Sequence, residues 1–289
     1  MADRKGALLF VNFHKSHASD LAEEITNELT RLGIGAVFFP PNGGFAELPL
    51  EDCSVAFSLG GDGTVLYAAR TIAARGIPIF PINAGTLGFI AAVHPDAWLR
   101  VFQQWLQGEV TISRRLMFEI TIERRGETIV RASCLNDAVI SASGIAKIIA
   151  LRVLDTQTPL GNYRSDGLIV ATPTGSTAYS VAAGGPILDP EIEAVIINPI
   201  CPFTLSNRPI VVPAQETIIV EVNKEQRSGV LLTLDGQVTK QLEPEDRVFI
   251  CQAPYKAQLI ASDRRVFYNA LRTKLNWSGD FSGTGASNA

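Results

Sequence analysis

Residues 55–67 read VAFSLGGDGTVLY, an apolar run that ends in a glycine-rich turn. Residues 55–59 predict a buried strand, and the apolar spacing of residues 64–75 predicts a helix directly after the turn. The glycines of the turn allow the backbone to approach a ligand closely. A helix N-terminus at this point presents free N–H groups and a positive dipole end, which suits a phosphate group. The stretch is therefore either a tight strand-to-helix turn or an anion-binding loop of an α/β fold.

Asp62 places a carboxylate in the middle of this turn. It would repel a phosphate unless it carried a magnesium ion or accepted a proton from an attacking hydroxyl, so it favours phosphoryl-transfer chemistry. The turn has neither the G-x-x-x-x-G-K-[ST] pattern of a P-loop nor the G-x-G-x-x-G spacing of dinucleotide-binding folds. Both of those common nucleotide sites are therefore excluded.

The composition is that of a globular protein. The chain has 289 residues, 46% of them hydrophobic and 19% charged, so a sizeable core and roughly two domains are expected. A net charge of −4 does not favour nucleic acid or an anionic membrane as a partner. The four cysteines are far apart, which argues against a zinc site or a disulfide framework and favours a reducing cytoplasm. No apolar stretch reaches the ~18 residues needed to cross a bilayer.

Strand and helix patterns alternate over residues 1–112, which predicts an α/β domain with a mostly parallel sheet. In this domain Ser19 is expected to cap the first helix, and residues 96–107 are expected to form a short amphipathic helix. Ligands bind such sheets beyond the carboxyl ends of the strands. Both the turn after residue 59 and a second glycine-rich segment, residues 83–89, fall at that edge.

The pattern changes in the second half of the chain. Residues 113–256 contain many short strands separated by turn signals, which is typical of an all-β, sandwich-like domain. Residues 257–277 are expected to return to the first domain, with a helix over residues 264–275 that packs on it. Residues 278–289 are small and polar and are predicted to form a disordered tail.

Three further polar features stand out, and the first two each allow two interpretations. Asn136 and Asp137 lie between apolar strands; both residue types form turns readily, but the pair also offers hydrogen-bonding groups for ligand hydroxyls. Lys15, just after the first strand, either reaches a phosphate or is solvated. Asp235-Gly236 is typical of a two-residue hairpin turn.

Residues 165–180, SDGLIVATPTGSTAYS, lead from a buried strand into a loop rich in hydroxyl side chains. If Ser176 or Thr177 begins a helix, its hydroxyl would cap that helix while neighbouring N–H groups face a ligand. The alternative is a capped strand-to-helix turn with no ligand. Tyr179 is either a ring on which a base stacks or a core residue.

Taken together, these segments resemble the NAD kinase family, in the expected order and over nearly the whole chain. The chain departs from the family at Asp137, where most members have glutamate, so this carboxylate reaches one methylene less far. The segments that carry the resemblance are residues 60–64 (GGDGT), 83–89 (NAGTLGF), 136–137 (ND), 166–179 (DGLIVATPTGSTAY), 235–236 (DG) and 274–278 (KLNWS).

The resemblance implies an α/β N-terminal domain, a β-rich C-terminal domain and an NAD site between them, in subunits that assemble as homodimers or homotetramers. It also implies transfer of the γ-phosphate of ATP to the 2′-hydroxyl of the adenosine ribose of NAD, which yields NADP. Some members of the family also accept inorganic polyphosphate as the donor.

A ribose hydroxyl is a poor nucleophile at neutral pH, so we assign Asp62 as the general base that removes its proton. Asp62 is also expected to help order Mg²⁺ on the donor phosphates, without a fixed metal site on the protein. The donor phosphates are expected to contact Gly60, Gly61, Gly63, Thr64 and Lys15. NAD is expected to contact Gly61, Asp62, Gly63, Leu87, Phe89, Asn136, Asp137, Arg164, Asp166, Thr174, Thr177, Ala178, Tyr179 and Gln237, with Asp166 acting across a subunit interface.

Two other functions compete with this interpretation. One is a kinase of the same superfamily that acts on a lipid or a sugar, against which stands the lack of an amphipathic membrane-surface helix. The other is a non-catalytic NAD(P)-binding sensor, which would be expected to lack the loop carboxylate, whereas Asp62 is present.

Overall fold

The computed structural model describes residues 6–39, 52–85, 88–144, 147–156, 158–204 and 206–275. The predictions for Leu87 and for residues 276–289 therefore lie outside the described residues. The first part of the chain alternates strands and helices, as expected of an α/β domain: β1 Gly6–Val11, α1 Ser16–Arg31, β2 Gly35–Phe39, β3 Cys53–Gly60, α2 Asp62–Ile72, β4 Ile79–Asn83 and α3 Trp98–Leu106.

The strands of this part pair in parallel, in the order β2-β1-β3-β4. β1 is apolar on both faces, as expected of a parallel strand covered by helices on both sides. Leu8 and Phe10 belong to the apolar cluster on the side of α2, whereas Leu9 and Val11 belong to the cluster that includes residues of α1 and α3. The carboxyl ends of β1, β3 and β4 therefore lie side by side at one edge, where both glycine-rich segments begin.

The second part is rich in antiparallel strands, and its only α-helix before the C-terminal one, among the described residues, is a single turn. Its elements are β5 Ile112–Arg124, β6 Glu127–Cys134, β7 Asp137–Ala142, β8 Ile149–Asp155, β9 Thr158–Ser165, β10 Gly167–Ala171, α4 Tyr179–Ala182, β11 Ala194–Ile200, β12 Ile210–Pro213, β13 Ile218–Val222, β14 Val230–Leu234, β15 Val238–Leu242, β16 Arg247–Ile260 and α5 Arg264–Leu275.

Two sheets face each other across the C-terminal core. One has six strands in the order β12-β11-β10-β7-β14-β15, and the other has ten strands and includes β5, β6, β8, β9, β13 and β16. Residues from both sheets, such as Phe118, Ile140 and Leu232, share one buried apolar cluster. The predicted sandwich-like architecture is therefore confirmed.

The ten-stranded sheet also joins the two parts of the molecule. β16 runs without interruption through residues 256 and 257, and its end pairs in parallel with β4 through Leu259 and Ile79. The strands of the α/β part and those of the β-rich part thus form one continuous sheet. A site between the two parts is consequently held by a shared sheet as well as by loops.

Several helix boundaries differ from the prediction. α1 begins at Ser16, three residues before the predicted cap Ser19, and Lys15 occupies the cap position without a side-chain hydrogen bond. α2 begins at Asp62 because the carbonyl of Gly61 already accepts the N–H groups of Thr64 and Val65. It ends at Ile72 and is followed by a short 3₁₀ turn.

The predicted helix over residues 96–107 is divided in two. A 3₁₀ turn, Pro95–Ala97, comes first, since Pro95 occupies its first position and the ring of His94 accepts the N–H of Asp96. The α-helical part is limited to Trp98–Leu106. None of the helices in the described ranges combines the length and the hydropathy needed to span a bilayer.

Candidate active site

A cleft of ≈ 390 Å³, called here the Gly61 cleft, lies where β1 and β3 end and α2 begins. Three aromatic rings form one side of it: Phe10 stacks on Phe39 at 4.8 Å between ring centroids, and Tyr67 meets both edge-on. The residues that line it are Phe10, Val11, Asn12, Phe13, His14, Lys15, Phe39, Gly61, Gly63, Thr64, Tyr67 and Gln237.

The N-terminus of α2 opens onto this cleft. Gly61 is the cap residue, and no side chain caps the helix, so the N–H groups of Asp62 and Gly63 in its first turn are left for a ligand, whereas that of Thr64 donates to the Gly61 carbonyl. A Cβ atom on Gly60 would run into the side chain of Thr64, and one on Gly61 would meet nothing within 4 Å. Gly60 is thus needed for the tight turn, whereas Gly61 leaves open space in front of the helix.

Four of the five residues predicted to bind the donor phosphates line the Gly61 cleft. They are Gly61, Gly63, Thr64 and Lys15. The Lys15 ammonium group lies against Gly85 of the second glycine-rich segment, at the border of the Gly61 cleft. A cation at this position complements the positive end of the α2 dipole in attracting an anion.

The Asp62 carboxylate is held by the second glycine-rich segment. Its Oδ1 accepts the backbone N–H groups of Ile90 at 3.1 Å and Ala91 at 2.9 Å, and its Oδ2 accepts that of Phe89 at 2.9 Å. An ionised carboxylate has about four acceptor sites. Among the described residues three are used, which leaves one acceptor site on Oδ2.

Gly88 packs directly against this carboxylate. A Cβ atom at Gly88 would overlap both oxygens of Asp62. Asp62 itself is not among the residues that line either cleft, although its neighbours Gly61 and Gly63 are. The side chain is half-buried beside the Gly61 cleft, and the backbone groups of residues 89–91 fix its position.

A second cleft of ≈ 410 Å³, called here the Asn136 cleft, lies on the β-rich side. The side-chain oxygen Oδ1 of Asn136 is buried there and has no hydrogen-bond partner among the described residues. A buried amide oxygen without a partner is costly, so a hydroxyl or N–H group of a ligand in this cleft would gain a free acceptor. The lining residues are Asn136, Asp137, Val139, Ser141, Ala178, Tyr179, Thr233, Asp235 and Gly236.

Asp137 adds a buried carboxyl group to the same cleft. Burial, and then the nearby charge of Asp235, raise the pKa of Asp137 to about 7. The carboxyl therefore changes charge near neutral pH, in a position where it can face ligand hydroxyls. Perturbed carboxyl groups in clefts are typical of functional sites.

Tyr179 lies at the rim of the Asn136 cleft and is 48% exposed. The interpretation of this residue as part of the core is therefore wrong. Its ring offers a flat surface next to Ala178, as expected of a residue on which a base stacks.

Arg70 and Asp235 join the two clefts. Asp235 accepts the guanidinium of Arg70 at 2.9 Å, and its side chain is fully buried. It also accepts the backbone N–H groups of Leu135, Asn136 and Asp137, at 2.7–3.4 Å. Because Arg70 lies on α2, one ion pair connects the helix of the glycine turn with the backbone that carries Asn136 and Asp137.

The Asp235-Gly236 turn is a hairpin turn, as predicted. Both residues have positive φ, 50° and 66°, and they join the antiparallel strands β14 and β15. Sequence reasoning missed the second role of Asp235, and it missed Arg70 altogether. The sequence contained one indication of Arg70: it is a charged residue within the predicted apolar helix, four positions after Leu66, which is buried.

The segment after β10 packs on Asn136 rather than capping a helix. The Thr172 hydroxyl donates to the carbonyl of Leu135 at 2.6 Å, and a Cβ atom on Gly175 would overlap the backbone of Asn136. Ser176 and Thr177 donate their hydroxyls to carbonyls three residues earlier, within a 3₁₀ turn. The prediction that one of them caps a helix is wrong, because α4 begins after them without a side-chain cap.

The remaining predicted NAD contacts are scattered around these clefts. Gln237 lines the Gly61 cleft and donates its amide to the carbonyl of Gly63 at 2.8 Å. Thr174 is buried, and its hydroxyl has no partner among the described residues. Arg164, on strand β9, and Asp166, just after that strand, are both exposed. The Arg164 guanidinium lies 5.4 Å from the centre of the Phe203 ring. Thr174, Thr177, Arg164 and Asp166 are not among the residues that line either cleft.

The side chains of this region offer no closed metal site. Within the described ranges, no group of three or more His, Cys, Asp or Glu residues could hold a metal ion. Magnesium is usually bound by one or two carboxylates together with substrate phosphates and water. Asp62, a single carboxylate with one acceptor site left free, fits a metal that is held mainly by nucleotide phosphates and water.

Family models match both parts of the chain: the ATP-NAD kinase N-terminal domain over residues 43–110 and the ATP-NAD kinase C-terminal domain over residues 135–262. The chain is 41% identical to the NAD kinase of Treponema denticola over 279 residues, which is 96% of this chain and 98% of that protein. It is 44% identical to the NAD kinase of Desulforamulus reducens over 224 residues, 77% of each chain.

Solved structures share the same architecture. Yeast NADH kinase complexed with NADH superposes with a TM-score of 0.86, at 22% identity, over 98% of this chain and 91% of that one. An NAD kinase from Archaeoglobus fulgidus in complex with ATP gives a TM-score of 0.71, at 25% identity, over 91% and 95% of the two chains. The first of these supports the fold alone, and the sequence relatives decide the family. With two family models in the expected order and a relative of this similarity over almost its full length, the chain belongs to the NAD kinase family.

Proposed function

We propose that this chain transfers the γ-phosphate of ATP to the 2′-hydroxyl of the adenosine ribose of NAD and so forms NADP. The observation that carries the proposal is the junction of two clefts at one hairpin turn: Gly236 lines the Asn136 cleft and Gln237 lines the Gly61 cleft. One cleft presents a helix N-terminus to an anion, and the other presents Asn136 and Asp137 to hydroxyl groups. Relatives named NAD kinase over the length of the chain support the same reaction.

The donor phosphates bind at the Gly61 cleft in this proposal. The N–H groups of the first turn of α2, near Gly61 and Gly63, hold phosphate oxygens, and Lys15 adds a positive charge. Phosphoryl transfer depends mainly on positioning and on neutralising charge, both of which these fixed groups supply. Gly60 takes part by keeping the turn tight, and Thr64 by its place on the cleft wall.

Asp62 acts as the general base. Two backbone N–H groups occupy its Oδ1, so the free acceptor site on Oδ2 is the one that receives the ribose proton. Because three backbone groups fix the carboxylate, it needs little reorganisation when the proton moves. Divalent metal, Mg²⁺, supplies charge neutralisation on the donor phosphates when it is bound.

NAD binds at the Asn136 cleft. The unpartnered Oδ1 of Asn136 and the Asp137 carboxylate accept hydrogen bonds from ribose hydroxyls, and the exposed ring of Tyr179 stacks on a base. Phe89, Thr174, Thr177, Ala178 and Gln237 complete the contacts expected from the sequence. Arg164 and Asp166, which are exposed at the edge of the sheet, would reach the nucleotide of a neighbouring subunit.

Four finer features are part of the same proposal. The enzyme works in the cytoplasm, requires a divalent cation, assembles as a homodimer or homotetramer and accepts polyphosphate as an alternative donor. The location, the assembly and the use of polyphosphate can each fail without affecting the reaction above, whereas the divalent cation takes part in it by neutralising charge on the donor phosphates. Mass photometry and donor assays address the assembly and the donor separately.

The test is an assay of NADP formation with purified protein, Mg²⁺ and either ATP or polyphosphate. In Asp62→Asn the side chain keeps its shape but no longer acts as a base, so kcat should fall by roughly 10²–10⁴. NAD binding measured by calorimetry should change little, and the exposed Asp20→Asn serves as the control for removal of one negative charge. Full activity of Asp62→Asn would remove this residue from the mechanism.

The competing functions give different outcomes in the same experiment. A radiolabelled-ATP assay across NAD, NADH, diacylglycerol and sphingosine would identify a lipid kinase by labelled lipid. A sensor would bind NADP tightly and transfer phosphate from no donor. Either result would overturn the proposal.

A further inference from the structure

The C-terminal helix α5 packs on Phe89, the first of the three residues whose N–H groups bind Asp62. The Phe267 ring packs on Phe89 at 6.4 Å between centroids, and the Lys274 ammonium lies 4.9 Å from the centre of the same ring. Phe267 is 3% exposed, so this contact is part of the packed interior. The Phe89 ring is therefore held from the side of α5.

The N-terminal end of α5 is fastened to the rest of the molecule. Asp189 accepts the Arg264 guanidinium at 2.6 Å and the Tyr268 hydroxyl at 2.9 Å. Just before the helix, the buried Arg115 donates to the carbonyl of Ser262 at 2.6 Å. These bonds anchor α5 to strands of the sheet and to the segment that contains Asp189, so the helix has little freedom to shift against Phe89.

The segment that begins with Phe89 is the one that holds Asp62. The N–H groups of Phe89, Ile90 and Ala91 are its three hydrogen-bond donors among the described residues. The Ser262 hydroxyl also lies 3.4 Å from the carbonyl of Ile90. A shift of Phe89 would therefore move the donors and with them the carboxylate.

We propose that α5 positions the Asp62 carboxylate through Phe89, and that Phe267 and Lys274 are positioning residues for phosphoryl transfer. The inference rests on the proposed role of Asp62. It predicts that loosening the contact with Phe89 lowers the rate of the chemical step, because a displacement of about 1 Å in a catalytic group can cost up to 10²-fold in rate. Binding of ATP at the Gly61 cleft should be little affected, since α5 contributes no residue to that cleft.

The first comparison uses two buried residues of the same helix. Phe267→Ala removes the ring contact with Phe89, whereas Leu271→Ala removes a similarly buried side chain that carries no ring to stack on Phe89. Both variants should lower the midpoint of urea unfolding. We expect kcat of Phe267→Ala to fall about tenfold or more, with KM for ATP within about twofold, and kcat of Leu271→Ala to stay within about twofold of the wild type. Phe267→Leu, which retains an apolar contact, should recover part of the loss.

The second comparison avoids the core. Lys274→Ala removes the cation above the Phe89 ring, and Arg272→Ala removes a cation from the same last turn of α5 without touching that ring. We expect kcat to fall about twofold to fivefold only in Lys274→Ala, as for the loss of one exposed cation–π contact. These variants keep the test decisive if Phe267→Ala does not fold.

The two hypotheses fail in different ways. If the wild type forms no NADP, the proposed function is wrong. If the wild type is active but kcat in Phe267→Ala and Lys274→Ala matches that of the respective control variants, the role of α5 is wrong and the proposed function stands.

Discussion

The Gly61 cleft and the Asn136 cleft differ in how far the protein itself satisfies the hydrogen bonds of their polar side chains. Beside the Gly61 cleft, the Asp62 carboxylate is already bound by three backbone N–H groups. In the Asn136 cleft, a buried amide oxygen has no partner among the described residues, and the Asp137 carboxyl has a pKa raised to about 7. One side is fixed in advance by its own backbone, and the other keeps hydrogen-bonding capacity for a ligand.

The difference matches what each side does in the proposed reaction. A base must lie in one place when the proton leaves, so rigid hydrogen bonds to Asp62 favour catalysis. A binding site for hydroxyl groups gains specificity from groups that stay unpaired until the ligand arrives. The Arg70–Asp235 ion pair connects the two sides, so its removal is the first test of whether they depend on each other.

The largest loss of stability is expected from Arg70→Leu. It leaves the fully buried Asp235 carboxylate without its cation, and breaking one side of a buried pair costs about 3–5 kcal/mol. The free energy of unfolding from urea titration should fall by about 3 kcal/mol. KM for NAD should also rise, since Asp235 holds the backbone of Asn136 and Asp137.

The exposed Arg75→Leu, three residues beyond the end of α2, is the matched control and should change the free energy of unfolding by less than about 0.5 kcal/mol. The double variant Arg70→Leu with Asp235→Asn should be less destabilised than the sum of the two single variants, because no uncompensated charge remains. A loss of less than about 1 kcal/mol in Arg70→Leu would mean that the pair does not connect the two clefts energetically.

Gly88→Ala is expected to affect the Asp62 side alone. The added Cβ atom would overlap both carboxylate oxygens, and a side chain can yield more easily than backbone, so Asp62 should turn away from its donors. We expect kcat to fall by about 10²-fold, with a loss of stability of about 1 kcal/mol and unchanged NAD binding.

Gly144→Ala is the control for the general effect of replacing glycine by alanine, because its Cβ atom would meet only the flexible side chain of Lys147 at 3.3 Å. Its kcat should match that of the wild type. Wild-type turnover in Gly88→Ala would show that Asp62 tolerates displacement and would contradict its assignment as the base.

Much of the fold was readable from local patterns. The strand, glycine turn and helix over residues 55–75 predicted the α/β part, and the Asp-Gly pair at 235–236 predicted the hairpin, because both signals depend on short-range backbone preferences. Helix starts were less readable. α1 begins at Ser16 and α2 at Asp62. In each case the preceding residue, Lys15 or Gly61, has an extended backbone and no side-chain cap, so no capping side chain marks the start in the sequence.

The contacts between distant segments could not be read from the sequence. Asp235 and Arg70 are 165 residues apart, and the ion pair arises only because β14 and β15 bring the hairpin onto α2. Likewise the partners of Asp62 are backbone N–H groups, which almost every residue type carries, so the sequence cannot indicate which of them bind the carboxylate. The sequence named the carboxylates of the site, but their electrostatic roles depend on which backbone groups the fold places around them.

The smallest effect on activity concerns the pH dependence of the Asn136 cleft. Burial and the Asp235 charge raise the pKa of Asp137 to about 7 in the folded chain, above the value of 3.8 for a free aspartate. The folded state therefore favours the protonated carboxyl. The stabilisation that this gives is fully present below about pH 4 and is lost as the pH rises through 7. NAD affinity should follow the opposite trend, because the ionised carboxylate accepts hydrogen bonds from the ribose, and KM for NAD should rise about tenfold between pH 7.5 and 6.

Asp137→Asn separates these two consequences. The amide removes the ionisation, so at pH 8 the variant should be more stable than the wild type by about 4 kcal/mol, whereas at pH 4 the difference should be less than about 1 kcal/mol. KM for NAD in the variant should be higher than in the wild type at pH 8 and almost independent of pH between 6 and 8. The exposed Asp20→Asn should alter neither profile. If KM for NAD in the wild type stays constant across this range, Asp137 does not bind the ribose as a carboxylate, and the unpaired oxygen of Asn136 alone would distinguish the Asn136 cleft from the Gly61 cleft.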